Sequence, residues 1–161
     1  RHTNLKIRDL PNCAKTLLKT SVSITSEITT LGNGQLWYKG IKTCLNETLK
    51  YVSRPIRVSL NVNIDGIPVF KSSRLQFWPI LIDILEIPVI KPMAVAIYCG
   101  DTKPQNIEAY LRQFVDELKG LINDGLDING HNIAVKVRCF ICDSPARAFL
   151  KGVAYFNATD V

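Results

Sequence analysis

No stretch of this sequence is both long and apolar enough to cross a membrane. The longest candidate, Phe77 to Ile90, is interrupted by Pro79, Asp83, Glu86 and Pro88, whereas a span needs roughly 20 uninterrupted apolar residues. No membrane partner is expected. The opening run Arg1-His2-Thr3-Asn4-Leu5-Lys6 has neither an initiator Met nor the apolar core of a signal peptide, so it reads as cut from something longer. No repeat and no long linker divides the 161 residues, and their 47% hydrophobic content suits one ordinary core. The five cysteines, Cys13, Cys44, Cys99, Cys139 and Cys142, are odd in number and scattered. That pattern fits a reducing, intracellular compartment better than a disulfide framework. In such a compartment the glycosylation tripeptides at Asn46 and Asn157 carry no weight.

What is present is positive charge, unevenly placed. The net charge is +6, and residues 1–60 hold ten Lys and Arg against Asp9, Glu27 and Glu47, while residues 61–161 hold ten against eleven. A basic lead-in can track phosphates, because neutralising them releases counterions. More often such a segment is simply a solvated surface.

Along the chain, Cys13 to Leu18 suggests one short helix. A turn at Leu31-Gly32-Asn33-Gly34 leads into Gln35-Leu36-Trp37-Tyr38. Ile41, Leu45 and Leu49 then recur at helical spacing within Gly40 to Val52, with Pro55 as a stop. Val58, Leu60, Val62 and Ile64 alternate with Ser59, Asn61, Asn63 and Asp65, the period of a half-buried strand. Asp65-Gly66 is a hairpin dipeptide, so Ile67 to Phe70 is expected to fold back as a second strand. Further strands are expected at Phe77 to Leu85 and Met93 to Cys99. The clearest helix runs from Asn106 to Asn123, between Pro104 and Gly125. Leu126 to Ile128, the Asn129-Gly130 turn and Ile133 to Ile141 read as a short strand, a tight connection and a long buried strand. Asp143 is suited to cap a last helix opening at Ser144-Pro145-Ala146. One acid thus ends the first strand of the group and another ends the last, the order of elements an RNase H-like layer arrangement requires.

Paired carboxylates on strand ends can hold hard cations such as Mg²⁺, which prefer oxygen ligands and keep several waters. Each acid also has a structural reading: Asp65 as a type I′ turn residue, Asp143 as a helix cap. Cys139 and Cys142 are no zinc pair, since strand residues three apart face opposite sides and no second pair exists. His131, after the turn, reads as a solvated loop residue, Gly32-Asn33-Gly34 as a turn, and Asp83 and Glu86 as salt-bridge or edge residues.

Taken together, Asn63-Ile64-Asp65-Gly66, Lys71-Ser72-Ser73 with Phe77-Trp78-Pro79-Ile80-Leu81, Gly100 with Lys103-Pro104, the long helix through Tyr110-Leu111 and Cys142-Asp143-Ser144-Pro145-Ala146 resemble the catalytic core of CACTA-type DDE transposases and proteins derived from them. The resemblance covers roughly Val58 to Gly152 and is weak upstream, around Trp37-Tyr38. It implies an α/β, RNase H-like mixed sheet with flanking helices, incomplete at its C-terminus. The implied division is a basic, partly helical lead-in over 1–57 and a truncated core over 58–161. It further implies that Asp65 and Asp143 match the first and second metal-binding acids of an Asp-Asp-Glu set that uses Mg²⁺ or Mn²⁺ on DNA in the nucleus. Ser72, Ser73, Trp78 and Pro79 match motif positions without a catalytic role, Trp78 as a core residue.

The family continues into a Cys/His-rich segment and a helix bearing the third acid. Here the sequence after Gly152 has neither a cysteine nor a Glu, and Asp160 is a poor substitute. The expected function is therefore a transposase fragment inactive alone. The alternative is a non-enzymatic DNA- or protein-binding module.

Overall fold

Alternation along residues 56 to 64 builds the centre of the sheet. Strand β3 (Ile56–Ile64) buries Val58, Leu60, Val62 and Ile64 on one face and turns Ser59, Asn61 and Asn63 to the other. The computed structural model describes residues 28–69 and 74–151; the expected helix at 13–18, Ser72, Ser73 and Asp160 lie outside them. Around β3 are β1 (Ile28–Leu31), β2 (Gly34–Tyr38), β4 (Ile67–Pro68), β5 (Gln76–Ile84), β6 (Met93–Gly100), β7 (Leu126–Ile128) and β8 (His131–Ile141). The helices are α1 (Ile41–Thr48), α2 (Ile107–Asp124) and α3 (Ser144–Lys151).

The result is a mixed α/β structure with sheet order β1-β2-β6-β5-β3-β8-β7, and β4 pairing with β5. All pairings are antiparallel except that of β3 with β8. Parallel neighbours cannot be joined by a tight turn, and the chain reaches β8 through α2. β1, β2 and α1 fall within the segment 1–57 set apart in the sequence. Even so, β2 pairs with β6, and Leu36, Ile41 and Leu45 join the same buried cluster as Leu60 and Ile80. The division at 57/58 thus does not coincide with a break in the sheet.

The helices follow their sequence signals. α2 buries Tyr110, Phe114, Leu118 and Leu121 along one stripe. Asn106 caps it by accepting from the Ala109 N–H at 2.9 Å. Each such side chain, fully buried, contributes about 1.5–3 kcal/mol. α1 begins at Gly40, which has no side chain to cap with. Glu117 of α2 accepts the Ile41 and Lys42 N–H groups instead, at 2.7 and 2.9 Å, and the Tyr38 hydroxyl donates to it at 2.6 Å. The short hairpin β7–β8 turns on Asn129 (φ 54) and Gly130 (φ 76), both left-handed as a type I′ turn demands.

Three local expectations are overturned. Asp65-Gly66 is not a hairpin turn: Gly66 is not among the left-handed residues, and β4 does not fold back on β3. Both strands pair with β5, Ile64 opposite Ile80 and Ile67 opposite Phe77. The chain therefore advances three residues on each side, which sets Asp65 opposite Pro79 and Gly66 opposite Trp78. A proline has no N–H to give, and here the strand assignment lapses for two residues.

The long strand β8 is also not continuously buried. It alternates, with Ile133 and Val135 inside and Ala134 and Lys136 outside. It carries a bulge: Val137 pairs with Leu60 but Cys139 with Asn61, leaving Arg138 as the extra residue. The bulge reverses the facing of the rest of the strand, so Phe140 pairs with Val62 and shares its face. His131 opens this strand opposite Ile128 and is half-buried, which corrects its reading as a solvated loop residue.

Candidate functional site

The last register pair of the parallel strands is Asn63 with Ile141. Two residues further on each strand stand Asp65 and Asp143, so the two acids leave the same edge of the sheet from adjacent strands. The side chain of Asn63 ties the ends together, its amide nitrogen donating to the Ile141 carbonyl at 3.1 Å.

Each carboxylate has one oxygen engaged locally. Asp65 Oδ1 accepts from the Gly66 N–H at 2.8 Å. Asp143 Oδ1 accepts from the Ala146 N–H at 2.7 Å, and the Asp143 carbonyl accepts from Arg147 N at 2.9 Å. Asp143 therefore caps α3, as its sequence context suggested, while Asp65 has no hairpin role to explain it. Capping uses one oxygen and leaves a carboxylate a second, with further lone pairs.

Cys142 reports on both acids. Burial pushes its thiol up, a backbone hydrogen bond from Ile64 and the nearby Arg147 guanidinium pull it down, and the charges of Asp65 and Asp143 push it up again.

Beside Cys142 opens an apolar groove of about 500 Å³ between α2 and the end of β8, lined by Leu111, Val115 and Phe140 and rimmed by Arg147 and Lys151. On the other face of the sheet Asn61 donates to Asp83 at 2.7 Å and accepts from Arg138 at 3.0 Å and the Cys139 thiol at 3.1 Å. Glu86 accepts from the Ser59 N–H at 2.8 Å and from the Ser59 hydroxyl. Asp83 and Glu86 thus hold neutral partners by hydrogen bonds, and Glu86 is exposed just past the end of β5, the edge position the sequence allowed.

Carboxylates are hard oxygen donors of the kind that hold Mg²⁺ or Mn²⁺ together with waters and substrate phosphates. The chemistry fits one such ion. Among the described residues no group of three or more His, Cys, Asp or Glu comes together.

The sequence reading missed Trp78 as the partner of Gly66. The alternation of residues 133–141 gives no sign of the bulge, without which Phe140 and Cys142 would face the other way.

No protein-family model matches the chain, and a search of curated proteins finds no significant match. No helix among the described residues is long and apolar enough to cross a membrane.

Proposed function

We propose that the chain carries the first two acids of an RNase H-like, DDE-type nucleic-acid-processing core, Asp65 and Asp143, which together hold one Mg²⁺ or Mn²⁺ against a DNA phosphodiester. The observation that carries this reading is the placement of both acids two residues past the last pair of adjacent parallel strands. The topology supports it. β3, β5 and β6 form an antiparallel run, and β3 then pairs in parallel with a strand delivered through α2, the layer arrangement expected of an RNase H-like core.

The ion would supply Lewis-acid polarisation of a phosphate oxygen. The chain's own residues do the holding. Asn63 fixes the strand ends, the Gly66 and Ala146 N–H groups orient one oxygen of each carboxylate, Arg147 lies on α3, and Lys103 stands 5.3 Å over the Phe149 ring of that helix. Among the described residues no third acid joins the two, so the described site binds and orients without turning over, the behaviour of a transposase-derived protein or of a module that keeps the fold for binding DNA in the nucleus.

Mn²⁺ titration of the wild-type chain and of Asp65→Asn and Asp143→Asn tests this reading, alongside incubation with labelled DNA and Mg²⁺ or Mn²⁺. The expected result is specific binding weakened by either substitution, with the DNA left uncut. Binding indifferent to both substitutions overturns the shared site, and cleavage abolished by Asp65→Ala overturns the claim that the chain does not turn over. DNA affinity that falls steeply with salt supports phosphate contact; affinity independent of salt contradicts it.

A further inference from the structure

Gly66 lies in an extended segment opposite Trp78, with no positive φ to explain a glycine. Space explains it. A Cβ at this position would lie 2.7 Å from Trp78 Cζ2, 2.9 Å from Cε2 and 3.3 Å from Cη2. The six-membered ring of the indole is therefore pressed against the backbone next to Asp65.

The same indole meets Phe149 of α3 edge to face, with ring centroids 5.1 Å apart and an interplanar angle of 61°. α3 is the helix whose first turn Asp143 caps, and its Ala146 is completely buried. Trp78 is itself fixed on both sides, its Nε1–H donating to Gln76 at 3.0 Å and its carbonyl accepting from the Tyr110 hydroxyl at 3.0 Å.

We propose that Trp78 is a positioning residue that sets the spacing of the acid pair, one indole bracing Gly66, and with it Asp65, on one side and Phe149, and with it the helix that Asp143 caps, on the other. This rests on the reading of Asp65 and Asp143 as a shared cation site. Edge-to-face aromatic pairs are directional, and ligand carboxylates depend on groups behind them that fix their orientation. A wedge touching the supports of both acids meets that need, and it accounts for a glycine that no turn requires.

The test is Mn²⁺ affinity, read from the electron paramagnetic resonance signal of free Mn²⁺, with a thermal melt of each variant. Gly66→Ala adds one methyl group against the indole and is expected to weaken Mn²⁺ binding by about 10-fold or more, the usual effect of disturbing a ligand's support. Trp78→Phe removes the ring atoms that the methyl would meet, so the double variant Gly66→Ala/Trp78→Phe is expected to recover affinity. A general loss of packing would not produce that recovery. Trp78→Ala is expected to bind weakly; should it fail to fold, the Gly66→Ala pair decides. A folded Gly66→Ala chain with wild-type affinity, or a double variant no better than Gly66→Ala, overturns the proposal. Asp65→Asn with wild-type affinity instead overturns the shared site itself, a separate and recognisable outcome.

Discussion

Asn63 and Ile141 close the register of the two parallel strands, and the Asn63 side chain bridges to the Ile141 carbonyl at 3.1 Å, immediately before both acids leave the sheet. A bond at this point resists splaying of the two strand ends. Asn63→Ala is expected to cost about 0.5–1.5 kcal/mol of stability, the usual net value of one hydrogen bond. Hydrogen exchange should show the loss as faster exchange around Cys142 and Asp143 than in the middle of β8. Uniform acceleration along β8 would contradict this local role.

The charges of Asp65 and Asp143 help to hold the Cys142 thiol protonated, after burial as the larger cause. Removing either charge, as in Asp65→Asn, is expected to lower the thiol's pKa and speed its alkylation near neutral pH, since the thiolate is the nucleophile. Mg²⁺ bound between the acids should do the same in the wild-type chain and have no effect in Asp65→Asn. Peptide mapping by mass spectrometry separates Cys142 from the other cysteines. A rate unmoved by Asp65→Asn would count against electrostatic contact between the two residues.

Glu86 loses some solvation on folding, which would raise its carboxyl, but hydrogen bonds from the Ser59 hydroxyl and N–H outweigh this and hold it below the usual carboxylate range, helped by Lys136. Because the folded value is depressed, its contribution to stability is complete above the unfolded value, about 4.3, and is lost as pH falls through the folded value. Glu86→Gln is expected to flatten that part of the acid limb of the stability curve. Denaturation at a series of pH values between neutral and strongly acidic is the measurement, and an unchanged acid limb would refute the assignment.

Glu117 substitutes for a missing cap on α1 through two N–H groups and also receives the Tyr38 hydroxyl. Glu117→Ala leaves these donors unsatisfied at a part-buried helix start and is expected to cost about 1–3 kcal/mol, read as a lower melting temperature. Glu117→Gln should retain part of the stability, since an amide oxygen still accepts. Equal losses in the two variants would contradict the capping role.

Much of the fold was legible in the sequence because its signals are periodic and local. The alternation from Val58 to Ile64, the apolar stripe of α2 with Asn106 before it and Gly125 after it, and the Asn129-Gly130 turn each depend on neighbouring residues alone. Asp65-Gly66 was misread because the dipeptide favours a hairpin, while the features that keep the segment extended, Pro79 and the Trp78 indole, come from another strand. The bulge at Arg138 was invisible for the same reason, since it exists only relative to the register with β3. Of the candidate site, the positions of Asp65 and Asp143 just past the ends of strands were legible. Their alignment across β3 and β8, and the approach of Trp78 to Gly66, depend on long-range pairing.

The most direct test of the shared acid site is paramagnetic broadening of backbone amide signals by substoichiometric Mn²⁺, monitored by nuclear magnetic resonance. The prediction is that Ile64 to Gly66 and Cys142 to Ser144 broaden together at the same Mn²⁺ concentration, and that Asp65→Asn abolishes the effect in both segments at once. Broadening confined to one segment, or persisting around Asp143 when Asp65 is changed, would contradict a cation held between the two strands.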